Sequence, residues 1–138
     1  MKNIVLILAA LLIGLSSCKK DEETEPQISK DDLLCQEWNI DKYTINGEVV
    51  NYMMDFQWEF IGDGKLINTF VTTGITDTTT WAWVDNQENI EIEGFDKGLK
   101  ASKLKKRLFK YDITKLNSSN LILESLNEDE IIIIEFKR

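Results

Sequence analysis

The sequence predicts an all-β fold, an antiparallel eight-stranded up-and-down barrel with a short helical turn in front of it. Three observations lead to this prediction. From Trp38 onward, apolar and polar side chains alternate with period two, as in strands with one buried face. Short clusters of Gly, Asn, Asp and Ser separate these stretches, and such clusters form hairpin turns. Closing eight strands into a barrel also removes the two exposed edges that an open sheet would leave.

The first 17 residues are typical of an export signal. Lys2 supplies a positive charge, residues 4 to 15 form an apolar run, and small residues precede Cys18. This run is too short to span a bilayer as a helix, which takes about 20 apolar residues. Leu15-Ser16-Ser17-Cys18 resembles the lipobox of bacterial lipoproteins. The resemblance implies cleavage between residues 17 and 18 and acylation of Cys18, and an ordinary secretory signal is the alternative.

Residues 18 to 28 are expected to be the acylated cysteine and a charged, flexible tether. Residues 19 to 26 contain dense charge, no large apolar side chain and the chain's only proline, so they have nothing to bury. Lys19 and Lys20 followed by acidic residues also resemble the export tag of surface lipoproteins in the Bacteroidetes, whereas a plain solvated spacer is the alternative. We therefore expect attachment to the outer membrane, with the side on which the domain lies left open.

The composition of the chain after the predicted leader excludes several classes of function. The leader contains one Lys and no acid, so its removal leaves 15 basic and 24 acidic residues, a formal charge of -9. Such a surface repels nucleic acid and anionic headgroups, so the membrane contact must come from the acyl chains. The chain contains no histidine, and once Cys18 is acylated Cys35 has no disulfide partner. We expect a monomeric domain at residues 29 to 138 that is not an enzyme and needs no metal or cofactor.

The elements of this domain follow in order. Ser29 with Asp31 and Asp32 predicts a capped helical turn. The eight predicted strands are residues 38–45, 54–60, 66–72, 78–84, 89–93, 108–115, 120–126 and 130–137. Their connections are too short for crossover helices, so neighbouring strands run antiparallel. A two-sheet sandwich is the main alternative, but it needs long connections, and only residues 94–107 supply one.

Three short motifs resemble those of the lipocalin-like lipoproteins of the Bacteroidetes. Leu34-Cys35-Gln36-Glu37-Trp38 is similar to the family's Leu-x-Gly-x-Trp opening, with Gln36 in place of glycine. Phe60 with Asp63-Gly64-Lys65 is similar to its Phe-x-x-x-Gly hairpin, and Thr80-Trp81 to its Gly-Thr-Trp strand. The resemblance covers residues 33 to 137. It implies a lipocalin-like barrel whose one end is plugged by Trp38.

The inward-facing side chains are the candidate ligand-binding residues. They are predicted to be Met54, Phe56, Trp58, Phe60, Trp81, Trp83, Phe109, Tyr111, Ile113, Ile132, Ile134 and Phe136. An eight-stranded barrel is just wide enough to be filled by side chains or to hold one small ligand. The alternation of side chains along the strands does not distinguish a filled barrel from one with a ligand cavity. Bulky aromatic residues on short strands favour a filled barrel. A binding module for a small apolar ligand is therefore one hypothesis.

The second hypothesis is an interaction protein that displays a basic loop to a surface glycan or an envelope partner. The loop would contain Lys97, Lys100, Lys103, Lys105, Lys106 and Arg107, in a chain that is otherwise acidic. A long solvated hairpin is the simpler interpretation of this charge run.

Further polar motifs are weaker. Asp77-Thr78-Thr79 resembles the O-glycosylation motif of Bacteroidetes exported proteins, with Thr78 as acceptor, but it is also a typical strand start. Asn127-Glu128-Asp129-Glu130 lacks the spacing of a calcium loop and predicts a turn.

Overall fold

The computed structural model describes residues 27–95, 106–126 and 129–138. Its elements, in chain order, are α1 Lys30–Leu34, β1 Glu37–Ile45, β2 Glu48–Val49, a 3-10 turn at Asn51–Asp55, β3 Phe56–Ile61, β4 Lys65–Phe70, β5 Ile75–Val84, a 3-10 turn at Asp85–Gln87, β6 Asn89–Phe95, β7 Lys106–Leu116, β8 Asn120–Ser125 and β9 Ile132–Lys137. Strands β3 to β9 pair in sequence order, and β9 pairs back onto β1. This confirms the predicted all-β, closed, eight-stranded antiparallel barrel with a short helix before it.

Closure of the barrel depends on β1, which pairs with a different strand along each of its two edges. Its first residues pair with β3, where Trp38 lies opposite Trp58. Along its other edge β1 pairs with β9 from Asn39 to Ile45, with a bulge between Ile40 and Lys42. A bulge bends a strand and increases its twist, which helps a sheet to close on itself. Because β1 joins both ends of the sheet, the sandwich alternative is excluded.

Helix α1 covers one end of the barrel. Ser29 caps it as predicted, since the backbone N–H of Asp32 donates to the Ser29 hydroxyl at 3.0 Å. The indole Nε1 of Trp38 donates to the Leu34 carbonyl at 3.0 Å, and both side chains are fully buried. The Lys30 ammonium reaches the Gln87 carbonyl at 2.8 Å, in the β5–β6 turn. This end, which we call the closed end, therefore has a floor of packed side chains.

The opposite end, the open end, carries the β1–β2, β4–β5 and β8–β9 turns. Asn46 at the first of these is hydrogen-bonded to the carbonyl of Ile131 at 2.8 Å. Asn46 and Gly47 both have positive φ and form the two-residue turn between β1 and β2, as an Asn-Gly sequence favours. No helix within the described residues is long and apolar enough to cross a membrane.

The main difference from the sequence prediction lies before β3. The alternation of apolar and polar residues predicts a strand that begins at Met54. In the structure β3 begins at Phe56, and residues 51–55 form a 3-10 turn after the short strand β2. Met54 is 40% exposed on this turn. Its placement among the inward-facing residues was wrong, because one polar residue between Met54 and Phe56 imitated a strand repeat while the backbone had already left the barrel wall.

Candidate functional site

A cavity of about 220 Å³ lies inside the open half of the barrel. It is lined by side chains of five consecutive strands, β3 to β7: Trp58, Leu66, Asn68, Asp77, Thr79, Ile92, Glu93, Gly94, Phe109 and Tyr111. Below it, the closed half is filled by buried aromatic and aliphatic residues, including Trp38, Phe60 and Phe136. The closed half of the barrel is thus filled by side chains, whereas the open half contains the cavity.

Three lining residues stand in one row across adjacent strands. Trp58 on β3 is directly opposite Asn68 on β4, and Asn68 is directly opposite Asp77 on β5. Directly paired residues share one face of a sheet, so all three belong to the inner wall. This row places an indole N–H, a carboxamide and a carboxylate side by side.

Two atoms of this row lack hydrogen-bond partners. Trp58 Nε1 and Asn68 Oδ1 are buried, and neither has a partner among the residues that the structure describes. A buried polar group without a partner costs roughly 1–3 kcal/mol, so native proteins retain few of them. One donor and one acceptor therefore stand on neighbouring strands without being bonded to each other.

Two further polar side chains of the cavity, Thr79 and Tyr111, are respectively hydrogen-bonded and uncharged. The Thr79 hydroxyl donates to the backbone carbonyl of Glu93. Tyr111 is 6% exposed, and burial, followed by the nearby Tyr43, raises the pKa of its phenol. Tyr111 is thus uncharged at neutral pH and adds an aromatic surface to the wall.

Packing holds the aromatic walls in place. The Trp58 ring lies 5.3 Å from the Phe136 ring, measured between centroids, and 6.2 Å from that of Phe60. The Phe109 ring lies under the Arg107 guanidinium at 5.4 Å, a cation–π arrangement. Gly94 leaves room for this ring, because a Cβ there would stand 2.7 Å from Phe109 Cε2.

The structure sorts the predicted lumen residues into three groups. Trp58, Phe109 and Tyr111 line the cavity. Phe56 pairs with Phe70 nearer the open end, with ring centroids 5.1 Å apart. The others belong to the packed core or contact it: Phe60, Trp81, Trp83, Ile113, Ile132, Ile134 and Phe136.

Sequence reasoning missed most of the polar lining. The predicted inner wall lacks Asn68, Asp77 and Thr79, because it contains only apolar and aromatic side chains. The sequence contains an indication of Asn68, because Asn68 alternates in step with Leu66 and Phe70 on β4 and so lies on the same face of the strand. A polar residue at an inward position of a strand was the available indication.

The remaining candidates lie elsewhere. Lys97, Lys100, Lys103 and Lys105 fall outside the described residues, as does the side chain of Lys106, while Arg107 is exposed. Thr78 is exposed on β5 between the inward-facing Asp77 and Thr79. Cys35 is a free thiol, partly buried against the core, and burial raises its pKa.

A larger cavity, of about 500 Å³, lies beside α1 at the closed end. It is lined by Lys30, Leu33, Gln87, Glu88 and residues 112–116. The Lys30 ammonium is already bonded to the Gln87 carbonyl. None of the buried, unpartnered polar atoms found in the described part of the chain belongs to its lining, so the interior cavity is the stronger candidate despite its smaller volume.

Comparison with known proteins supports the fold alone. No protein-family model matches the chain, and no curated protein is significantly similar to it. The crystal structure of an uncharacterized protein from Bacteroides eggerthii DSM 20697 is similar, with a TM-score of 0.50 and 14% sequence identity. The similarity covers 76% of this chain and 99% of that one. At such low identity it shows that the two chains share a fold.

Proposed function

We propose that this chain is a lipid-anchored protein of the cell envelope whose barrel binds a small, mainly apolar ligand in the interior cavity. The observation that carries the proposal is the cavity, with aromatic walls and two unpartnered polar atoms in the residues that line it. Ligand sites are typically apolar clefts with a few polar groups that fix orientation. This cavity has that composition.

Its size supports a ligand of about one ring. The cavity has a volume of about 220 Å³ and opens to solvent, where Asp77 of its lining is exposed. An apolar cavity of about 150 Å³ is known to hold benzene. The packed closed half makes the barrel a cup with a floor, since Trp38 and Leu34 are fully buried there.

The position of the proposed lipid anchor is compatible with a barrel that is closed at one end and open at the other. The described chain begins at Gln27, next to α1 at the closed end, so a tether from Cys18 joins the barrel at its floor. Two or three acyl chains would hold such a protein stably on a bilayer, whereas one chain binds only marginally. Its acidic charge provides no attraction to anionic headgroups. The open end would then lie away from the point of attachment.

Cys18→Ser tests the anchor. We expect the full wild-type chain, expressed in its own host, to be in the membrane fraction with a mass that fits cleavage before residue 18 plus acyl groups. The variant should lack the acyl mass. The same mass shift in both proteins, or no acyl mass in the wild type, would refute the anchor.

Native mass spectrometry of the full chain tests the ligand. Protein released gently from its own host's envelope should carry a small adduct beyond the acyl groups, and the adduct should disappear on denaturation. A bare acylated mass, together with no binding of one-ring probes, would contradict the binding function.

A further inference from the structure

Trp58 differs from the other three tryptophans of the chain. The indole Nε1 of Trp38 donates to the Leu34 carbonyl, that of Trp81 to the Ile61 carbonyl and that of Trp83 to the Asp31 carboxylate. Trp58 Nε1 is buried and has no partner in the described part of the chain. Three indole N–H groups therefore bond within the fold, whereas the fourth is buried and has no partner there.

A single hydroxyl group would satisfy both unpartnered atoms. Its oxygen accepts from Trp58 Nε1, and its O–H donates to Asn68 Oδ1. The two residues are directly opposite each other on β3 and β4, so their side chains are neighbours on one face of the sheet, and we place the hydroxyl between them. Both polar atoms are covered by neighbouring side chains, so we expect a small rotation of the Asn68 side chain on binding.

The charges of the cavity disfavour an acidic ligand. Asp77 in its lining is the direct neighbour of Asn68, whereas the carboxylate of Glu93 accepts from the hydroxyl of the outward-facing Thr80. The Arg107 guanidinium lies over the Phe109 ring, and Arg107 is not part of the lining. A carboxylate placed at Asn68 would thus meet a like charge and an acceptor that cannot donate to it.

Resting on the proposed function, we propose that the cavity selects a neutral one-ring molecule that carries a hydroxyl group, a phenol or a cyclic alcohol, over a molecule that carries a carboxylate on the same ring. The hydroxyl is held between Trp58 Nε1 and Asn68 Oδ1. The ring lies among Phe109, Tyr111 and Ile92. This assigns a polarity to the ligand and a role to an otherwise unexplained donor and acceptor.

Four probes that share a para-tolyl group test this selection: p-cresol, toluene, p-toluate and 4-methylbenzylamine. The full chain, reconstituted in lipid nanodiscs with ¹⁵N-labelled tryptophan, is titrated while the indole resonances are recorded, with protein-free nanodiscs as the reference for partition. We expect p-cresol to shift the Trp58 resonance and leave the other three in place. It should bind about tenfold more tightly than toluene, and p-toluate should not bind.

Asn68→Leu tests the acceptor. This variant should bind toluene at least as well as the wild type and lose the tenfold preference for p-cresol. Thr69→Val, on the outer face of the same strand, is the matched control and should keep the preference. If Asn68→Leu fails to fold, the four-probe series on the wild type still decides the matter.

The outcomes separate the two proposals. If no probe binds, the binding function fails and this inference fails with it. If toluene binds as tightly as p-cresol, the binding function stands and the hydroxyl selection is wrong. Tighter binding of p-toluate or of the amine would also overturn the selection, the amine result in favour of an ion pair with Asp77.

Discussion

Trp83 on β5 is hydrogen-bonded to Asp31 on α1, with 2.5 Å between the indole Nε1 and the carboxylate Oδ1. The two residues are 52 positions apart in sequence, so the bond fastens the helix to the barrel wall. With the bond between Trp38 and the Leu34 carbonyl, it holds α1 over the closed end. These two indoles, together with the bond between Lys30 and the Gln87 carbonyl, therefore fasten α1 to the barrel.

A double-mutant cycle on this pair should reveal coupling. We expect Asp31→Ala and Trp83→Phe each to lower the free energy of unfolding, with a coupling energy of about 1 kcal/mol, because the bond involves a charged acceptor but is exposed. Asp31→Asn, which keeps an acceptor, should recover part of the loss. Urea unfolding measures the four proteins of the cycle and Asp31→Asn, and strictly additive effects in the cycle would show that the bond contributes nothing.

Tyr111 should make the fold sensitive to alkali. Burial raises its pKa above the ordinary value of about 10, so the unfolded chain loses this proton at a pH where the folded chain retains it. The phenol therefore leaves stability unchanged below pH 10 and lowers it as pH rises further. From pH 10 to pH 11, wild type should lose about 1 kcal/mol more than Tyr111→Phe. Equal losses in the two proteins would contradict this.

Gly94→Ala should close the cavity. The new Cβ would stand 2.7 Å from Phe109 Cε2, so the ring must move, and the cavity is the free space beside it. We expect p-cresol binding to weaken at least tenfold, at a stability cost of about 1–3 kcal/mol. Gly62→Ala is the control, because its Cβ would make an ordinary contact with Cys35 Sγ at 3.9 Å. Unchanged binding in Gly94→Ala would show that Phe109 does not line the site.

The β5–β6 turn should be open to stabilisation. Asp85, Asn86 and Gln87 all have positive φ, a conformation that costs an L residue roughly 1–2 kcal/mol and that Asn and Asp tolerate best. Gln87→Gly should raise the free energy of unfolding by about 0.5–1 kcal/mol after the entropic cost of glycine, while its carbonyl still accepts from Lys30. Asn86→Gly should gain less. Chemical denaturation measures both, and a loss in Gln87→Gly would contradict the strain argument.

The order of strands was readable from the sequence because most of the connections are short hairpins. Period two marked the barrel strands, and Asn46 with Gly47 marked a turn with positive φ. The pattern failed at Met54, where alternation continued by chance into a 3-10 turn. Local composition could not reveal this, because the end of a strand is decided by whether the neighbouring strand continues to pair.

The sequence by itself determined the all-β class, the antiparallel order of the strands, the cap at Ser29 and the acidic charge, since these depend on neighbours within a few residues or on composition. Only the tertiary structure decided which inward side chains fill the barrel and which surround a cavity. Trp58 and Phe60 lie on the same face of β3, yet Phe60 is buried in the core while Trp58 lines the cavity. The difference arises from side chains on distant strands, such as Phe109 and Tyr111, whose approach depends on the closure of the barrel.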